Sequence, residues 1–332
     1  MTKTLIAMCS ACLLVLGACS SGAQGPEDND QKLRIGYMAQ IDVPAAKIMY
    51  KSFQKEFISR SGRSAGSIEW VEKSAHGDNS KCPQIARILA NENLDAIAAQ
   101  GTPCIIAIAA ATKTVPIITL GIGDPVEVKV AKSLTKPGTN VTGAYQGSNA
   151  ATPLENLLLV SPKPETLGFI YDQSNESIVK WASNLKAAAD ANGVKLIQKG
   201  ITTVDQVAPT VRGLATRVDA LFVGPDGTMS GAIPVVAASA AKSQIPLYLS
   251  GLSAAASTPG VAADIGLSYR DLGRTAGGIA VKILIDGDDP ASTPFQKPPK
   301  MTWTINLQTL KELNLTVPVE IKNSAKVAKS HS

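Results

Sequence analysis

Two corners of the chain carry residue types that could hold a small polar molecule. Residues 95–103 read DAIAAQGTP and residues 219–228 read DALFVGPDGT. Each is an apolar run that breaks into glycine, proline and a hydroxyl. Thr102, with Pro103 behind it, is placed to cap a helix, and Asp226 or Thr228 can do the same in the second corner. A helix start presents unpaired N–H groups and partial positive charge, which favour a carboxylate or another acceptor. The loop that begins at Gly101 and the loop 226–228 would supply those N–H groups. Covalent chemistry has little material. There are 2 histidines: His76 in the polar turn SAHGDNSK, and His331 near the end of the chain. No H-E-x-x-H pair or phosphate loop is written anywhere, and no strand pattern turns into a helix pattern through a G-x-S-x-G elbow. The residues therefore point to binding, and no cofactor or metal is implied.

The elements that must position these corners are written twice. From residue 32, strand patterns (32–39, 67–74, 95–100, 115–121) alternate with helix patterns (44–62, 82–93, 102–114). The order repeats with strands at 166–172, 194–201, 219–224 and 245–251 and helices at 177–193, 204–217 and 228–244. Such alternation implies α/β architecture with parallel sheets covered on both faces. Leu94-Asp95-Ala96-Ile97 matches Val218-Asp219-Ala220-Leu221, and Val115-Pro116 matches Ile245-Pro246. Two similar lobes imply a cleft, and open parallel sheets bind ligands beyond the carboxyl ends of their strands. The same edge nominates three more loops: Gln40 and Asp42 in AQID, Asp124 in GDPV, and Tyr171 and Asn175 in YDQSN. Cys82 and Cys104 both fall where helices begin. They form either a disulfide pinning two cleft loops or two reduced buried thiols.

The length of 332 residues suits two domains, and the net charge of +5 is spread without a basic stripe, which argues against nucleic acid. The first residues read as an address. Lys3 precedes a 12-residue uncharged apolar run at 5–16, too short to span a bilayer. Leu16-Gly17-Ala18-Cys19 follows and resembles the lipobox of bacterial lipoproteins, which implies a signal peptide at 1–18 and a lipidated Cys19. Residues 20–31 then read as a polar tether. The tail 326–332 reads as disordered.

Longer stretches resemble one family, the substrate-binding lipoproteins of ABC transporters in the tryptophan- and tyrosine-type uptake group. They are IGYMAQIDVPAAK, the block GDPV…SLTKPGTNVTG at 123–143, GFIYDQSNES, VDALFVGPDGT, GLSYRDLGRTAGGIAVKIL and INLQTLKELNLTVP. The resemblance implies a type I periplasmic-binding fold: two Rossmann-like lobes joined by three crossovers. The first lobe would comprise 32–145 plus 266–296, and the second 146–265 plus 297–325. It implies an exported, membrane-anchored monomer that binds a small molecule, an amino acid with an aromatic or apolar side chain being favoured, and passes it to a permease. Carried over residue by residue, its ligand loops fall on Gln40, Asp42, Thr102, Pro103, Asp124, Tyr171, Asn175, Asp226, Thr228, Ser268 and Tyr269. Ser268 stands where the family often has an acidic residue, and Gly227 where Asn often follows the Asp. An α-ammonium would then have to pair with Asp42, Asp124 or Asp226. A sensor subunit docking on a membrane receptor, or a receptor for another small solute, fits the same residues.

Overall fold

The computed structural model describes residues 32–252, 256–299 and 301–328. The signal peptide, Cys19 and its tether, and residues 329–332 lie outside that range.

The first half builds β1 (Leu33–Ala39), α1 (Pro44–Ser61), β2 (Ile68–Ser74), α2 (Cys82–Ala90), β3 (Ala96–Gln100), α3 (Thr102–Ala111), β4 (Ile117–Ile122) and β5 (Val141–Tyr145). Its five strands form a parallel sheet in the order β2-β1-β3-β4-β5. The reversal of direction beside β1 puts the ends of β1 and β3 at a topological switch point, where ligands bind in such sheets. Pro44 and Pro103 stand in the first turns of α1 and α3, where a missing N–H costs nothing.

The chain then builds α4 (Ala151–Leu157), β6 (Thr166–Asp172), α5 (Glu176–Ala191), β7 (Lys195–Ile201), α6 (Val207–Ala215), β8 (Ala220–Val223), α7 (Gly227–Lys242), β9 (Leu247–Leu249) and β10 (Val261–Gly266). It continues through α8 (Tyr269–Leu284), β11 (Thr302–Ile305), α9 (Leu307–Glu312), α10 (Val319–Ser324) and β12 (Lys326–Val327). The second sheet has the order β12-β11-β10-β9-β8-β6-β7. Three segments pass between the sheets. Residues 146–150 lead from β5 to α4. Residues 267–268 lead from β10 to α8, which packs back on α1, β4 and β5. Gln296, hydrogen-bonded to Gly143 and Tyr145 beside β5, leads on to β11. Two α/β sheets with helices, connected in this way, are the architecture of type I periplasmic binding proteins.

The structure corrects the sequence reading in three places. The second sheet is not wholly parallel, because β11 runs antiparallel to β10. It arrives from the other lobe rather than through a helix on its own sheet, so no parallel crossover is imposed. The tail assigned as disordered from 326 starts as a strand: Lys326 and Val327 pair with Thr304 and Ile305. The free edge of β11 offers backbone partners that a polar sequence does not advertise. The helix expected from 204 begins only at Val207, after a short 3-10 turn, which leaves Pro209 harmlessly in the first turn.

Candidate functional site

The carboxyl edges of the two sheets face one another, and the seam between them holds two adjoining cavities. One, of about 30 Å³, is lined by Gln40, Gln100, Gly101 and Thr102 from the first lobe, and by Asn175, Ser177, Trp181 and Gly227 from the second. The other, of about 80 Å³, lies among Asn149, Thr152, Ser250, Leu267 and Lys297. Gln146, Gly147, Trp181 and Pro225 border both. An apolar cavity of about 150 Å³ takes one benzene ring, so the lobes must part to admit a ligand with an aromatic side chain.

Three helices start at this seam. α3 begins after Gly101, whose φ of 87° is a conformation that favours glycine. α5 begins after Asn175, whose side chain accepts from the Ser177 N–H at 3.2 Å. α7 begins after Asp226, which accepts from the Met229 N–H at 3.2 Å. The lobes touch directly. The Thr102 hydroxyl lies 3.1 Å from that of Ser177. Asn79 donates from Nδ2 to Ser174 Oγ at 2.9 Å and to Asp172 Oδ2 at 3.4 Å. Glu127 and Lys180 stand 4.0 Å apart across the rim.

Of the residues singled out in sequence, Gln40, Gly101, Thr102, Asn175 and Tyr269 line the first cavity. The others are placed differently. Asp42 is exposed and its carboxylate meets His76 Nδ1 at 2.6 Å. Asp124 closes its own turn by accepting from the Val126 and Glu127 N–H groups. Asp226 is fully buried, and besides capping α7 it accepts from the Asp172 N–H at 2.7 Å. None of these three carboxyls borders either cavity. Each has found backbone or local partners first, the common fate of Asp at turns and caps. Thr228 donates to Asp172 Oδ2 at 2.7 Å. Tyr171 stacks on Phe169 with ring centroids 5.4 Å apart, on the core side of β6. Pro103 and Ser268 flank helix starts without reaching the cavities.

Sequence reasoning missed Gln100, Gln146, Ser177 and Trp181. Gln100 had a signal: it is the one polar residue of an otherwise apolar strand, Ala96–Gln100. Trp181 had none, since a buried aromatic on an amphipathic helix reads as core. Cys82 and Cys104 form a disulfide with Cα atoms 4.8 Å apart, joining the first turns of α2 and α3.

Burial shapes the charges behind the seam. Asp226 is pushed up to about 6, by desolvation first and by nearby Asp172 as a lesser cause, against backbone hydrogen bonds that pull it down. Asp264, fully buried on β10, is pushed up to about 7 by desolvation, although it accepts from the Leu252 N–H at 2.7 Å. The Tyr269 phenol is raised by burial and by both carboxyls. Among the described residues, no charged side chain lines the first cavity, and Lys297 is the one that lines the second.

Two α/β lobes closing on a seam lined from both sides define a type I periplasmic binding protein. The chain belongs to the ABC transporter substrate binding proteins, whose family pattern it matches over residues 34–329. It is 28% identical over 310 residues to the tyrosine-binding protein of Clostridioides difficile (strain R20291), covering 93% of this chain and 89% of that one. A Streptococcus pneumonia ABC domain solved in complex with L-Trp is 26% identical, with a TM-score of 0.82, covering 89% of this chain and 99% of that one. The ligand-free, open structure of a Clostridium difficile substrate binding protein with adhesive properties is 28% identical, with a TM-score of 0.67, covering 90% of this chain and 100% of that one. The better fit to the Trp-bound form agrees with the hydrogen bonds that join the lobes here.

Proposed function

We propose that this chain is the lipid-anchored, extracytoplasmic receptor of an ABC importer, and that it holds an amino acid between its lobes and delivers it to a membrane permease. The observation that carries the reading is the meeting of three helix starts, from both lobes, around one buried polar cavity. Their free N–H groups suit the carboxylate that all amino acids share. Trp181 and Ile178 of α5 and Met49 of α1, which line the same cavity, suit an apolar or aromatic side chain. Relatives that bind tyrosine and tryptophan support that ligand class. Gln40, Gly101, Thr102, Asn175 and Tyr269 are its contacts in this reading, and Asp226 and Thr228 hold the α7 start in place.

Anchoring rests on the sequence of the first 19 residues. Among the described residues, no helix is long and apolar enough to cross a membrane. Cys19 acylated after signal cleavage, followed by the tether, would keep the lobes beside a permease as a monomer. Palmitate labelling in a bacterial host should mark the wild type and not Cys19→Ala.

A thermal-shift screen of the purified protein against the standard amino acids tests the ligand class. A ligand at about 100 times its Kd adds about 2.7 kcal/mol, which raises the melting temperature of a protein this size by about 4 °C. No shift with any amino acid would overturn the assignment.

A further inference from the structure

Gln40 and Gln100 sit side by side at the carboxyl edge of the first sheet. The Gln40 N–H donates to the Gln100 carbonyl at 3.0 Å, continuing the pairing of β1 with β3. Both side chains line the first cavity, and they are only 1% and 5% exposed. Both amide oxygens, Gln40 Oε1 and Gln100 Oε1, are buried without a hydrogen-bond partner. A buried acceptor left unmade costs about 1–3 kcal/mol, so two at one cavity ask for a donor.

Their orientation is dictated from across the seam. Asp172 receives four donors: the Ser174 N–H and hydroxyl on Oδ1, and the Thr228 hydroxyl and Asn79 amide on Oδ2. Both of its oxygens are thus used as acceptors only. Asn79 must therefore turn its NH2 to Asp172 and Ser174, which leaves its Oδ1 to accept from Gln40 Nε2 at 2.8 Å. Gln40 is then obliged to point Oε1 away from Asn79. The oxygen lies against Gly101 of one lobe and Gly227 of the other, where any Cβ would crowd it. A chain of hydrogen bonds polarises its members, so the run from Asp172 through Asn79 makes the Gln40 oxygen a stronger acceptor.

We propose that the amide oxygens of Gln40 and Gln100 receive the hydrogen-bond donor group of the ligand, the α-ammonium if it is an amino acid, in place of a carboxylate. The inference rests on the amino-acid reading above and names the specificity determinants within it. The ammonium offers three donors to two fixed acceptors and whatever the carboxylate-binding end leaves free. Asp172 is a positioning residue: it stays on the second lobe, never touches the ligand, and is joined to Gln40 only when the lobes meet. Recognition by neutral acceptors differs from a salt bridge in one respect that can be read out. It reads a donor more than it reads a charge.

Calorimetric titration separates the two. The wild type is titrated with L-tyrosine, L-tryptophan and L-leucine. The amino acid that binds is then compared with its α-hydroxy acid, which keeps a donor without the charge, and with its deamino acid, which has neither. The hydroxy acid should bind within about 100-fold of the amino acid, and the deamino acid should be weaker than the hydroxy acid by a further factor of at least about 10. Gln100→Leu and Gln40→Leu should each weaken the amino acid at least about 10-fold and flatten the difference between the three compounds. Gln100→Glu should widen the preference for amino acid over hydroxy acid. If a Leu variant does not fold, the three compounds on the wild type still decide. Binding of the deamino acid as tight as that of the hydroxy acid, or Leu variants that bind like the wild type, would overturn this inference alone. Silence of the wild type with all three amino acids would overturn the assignment to aromatic and apolar amino acids, and this inference with it.

Discussion

The hydroxyls of Thr102 and Ser177 meet at 3.1 Å, 75 residues apart in sequence and on opposite lobes. Each stands in the first turn of a helix, α3 or α5. The contact fixes how closely two helix starts approach, and so how many free N–H groups one ligand can reach.

Gly123 sets the same spacing. A Cβ there would lie 2.5 Å from Ser177 Oγ and 2.6 Å from Ser177 Cβ. Gly123→Ala should therefore prop the lobes apart without disturbing either core. Overpacking of this kind costs about 1–3 kcal/mol and is felt only in the closed form, so ligand affinity should fall by about 5- to 150-fold. The melting temperature without ligand should change by less than about 2 °C. Calorimetry and thermal melts on the same preparation check both halves. Unchanged affinity would mean that binding does not need this closure.

Much of this was legible from sequence because it is local. Alternating apolar runs gave the strands of both lobes, and Thr102 and Asn175 fell at the cleft because helix starts follow strand ends. The carboxylates lie away from the two cavities for the converse reason. Whether Asp226 faces a ligand or the Asp172 N–H depends on how β6 and β8 lie side by side, and spacing along the chain does not encode that. His76 took Asp42 in the same way, through a turn with a left-handed residue at its corner. Gln100 was hidden by its company, since four apolar neighbours made it read as the end of a strand. The antiparallel β11 and the short β12 depend on a crossing from the other lobe, and no local pattern announces it.

The two buried carboxyls behind the seam make stability pH-dependent in a definite direction. Desolvation raises Asp226 to about 6 and Asp264 to about 7, above the ordinary aspartate value of 3.8. The folded protein thus holds these protons more tightly than the unfolded chain. Their contribution is complete below about pH 4 and is lost as pH rises through about 6 and about 7. Asp264→Asn imitates the protonated acid and keeps an oxygen for the Leu252 N–H. Between about pH 5 and pH 7.5 the wild type should lose about 2–3 kcal/mol that this variant does not. Denaturant unfolding at both pH values measures it, and parallel profiles would contradict it.

The disulfide Cys82–Cys104 closes a loop with a sequence separation of 22 and ties α2 to α3 beside Thr102. Loop-closure entropy for that length is worth about 3 kcal/mol. Cys82→Ala/Cys104→Ala should lower the melting temperature by about 5 °C. Because α3 carries the Thr102 corner, ligand affinity should fall as well. An equal melting temperature for the two proteins would show that the first lobe is held by its core alone.

The most direct test of a ligand held between the lobes uses the 3 tryptophans as reporters. Trp181 lines both cavities, whereas Trp70 packs among Tyr50, Phe53 and Phe57, and Trp303 bonds to Asn156. Titrating L-tyrosine or L-leucine into Trp70→Phe/Trp303→Phe, which keeps only Trp181, should give a saturable change in indole emission that follows the calorimetric isotherm. Binding heat accompanied by no change in this protein would place the ligand somewhere other than the seam.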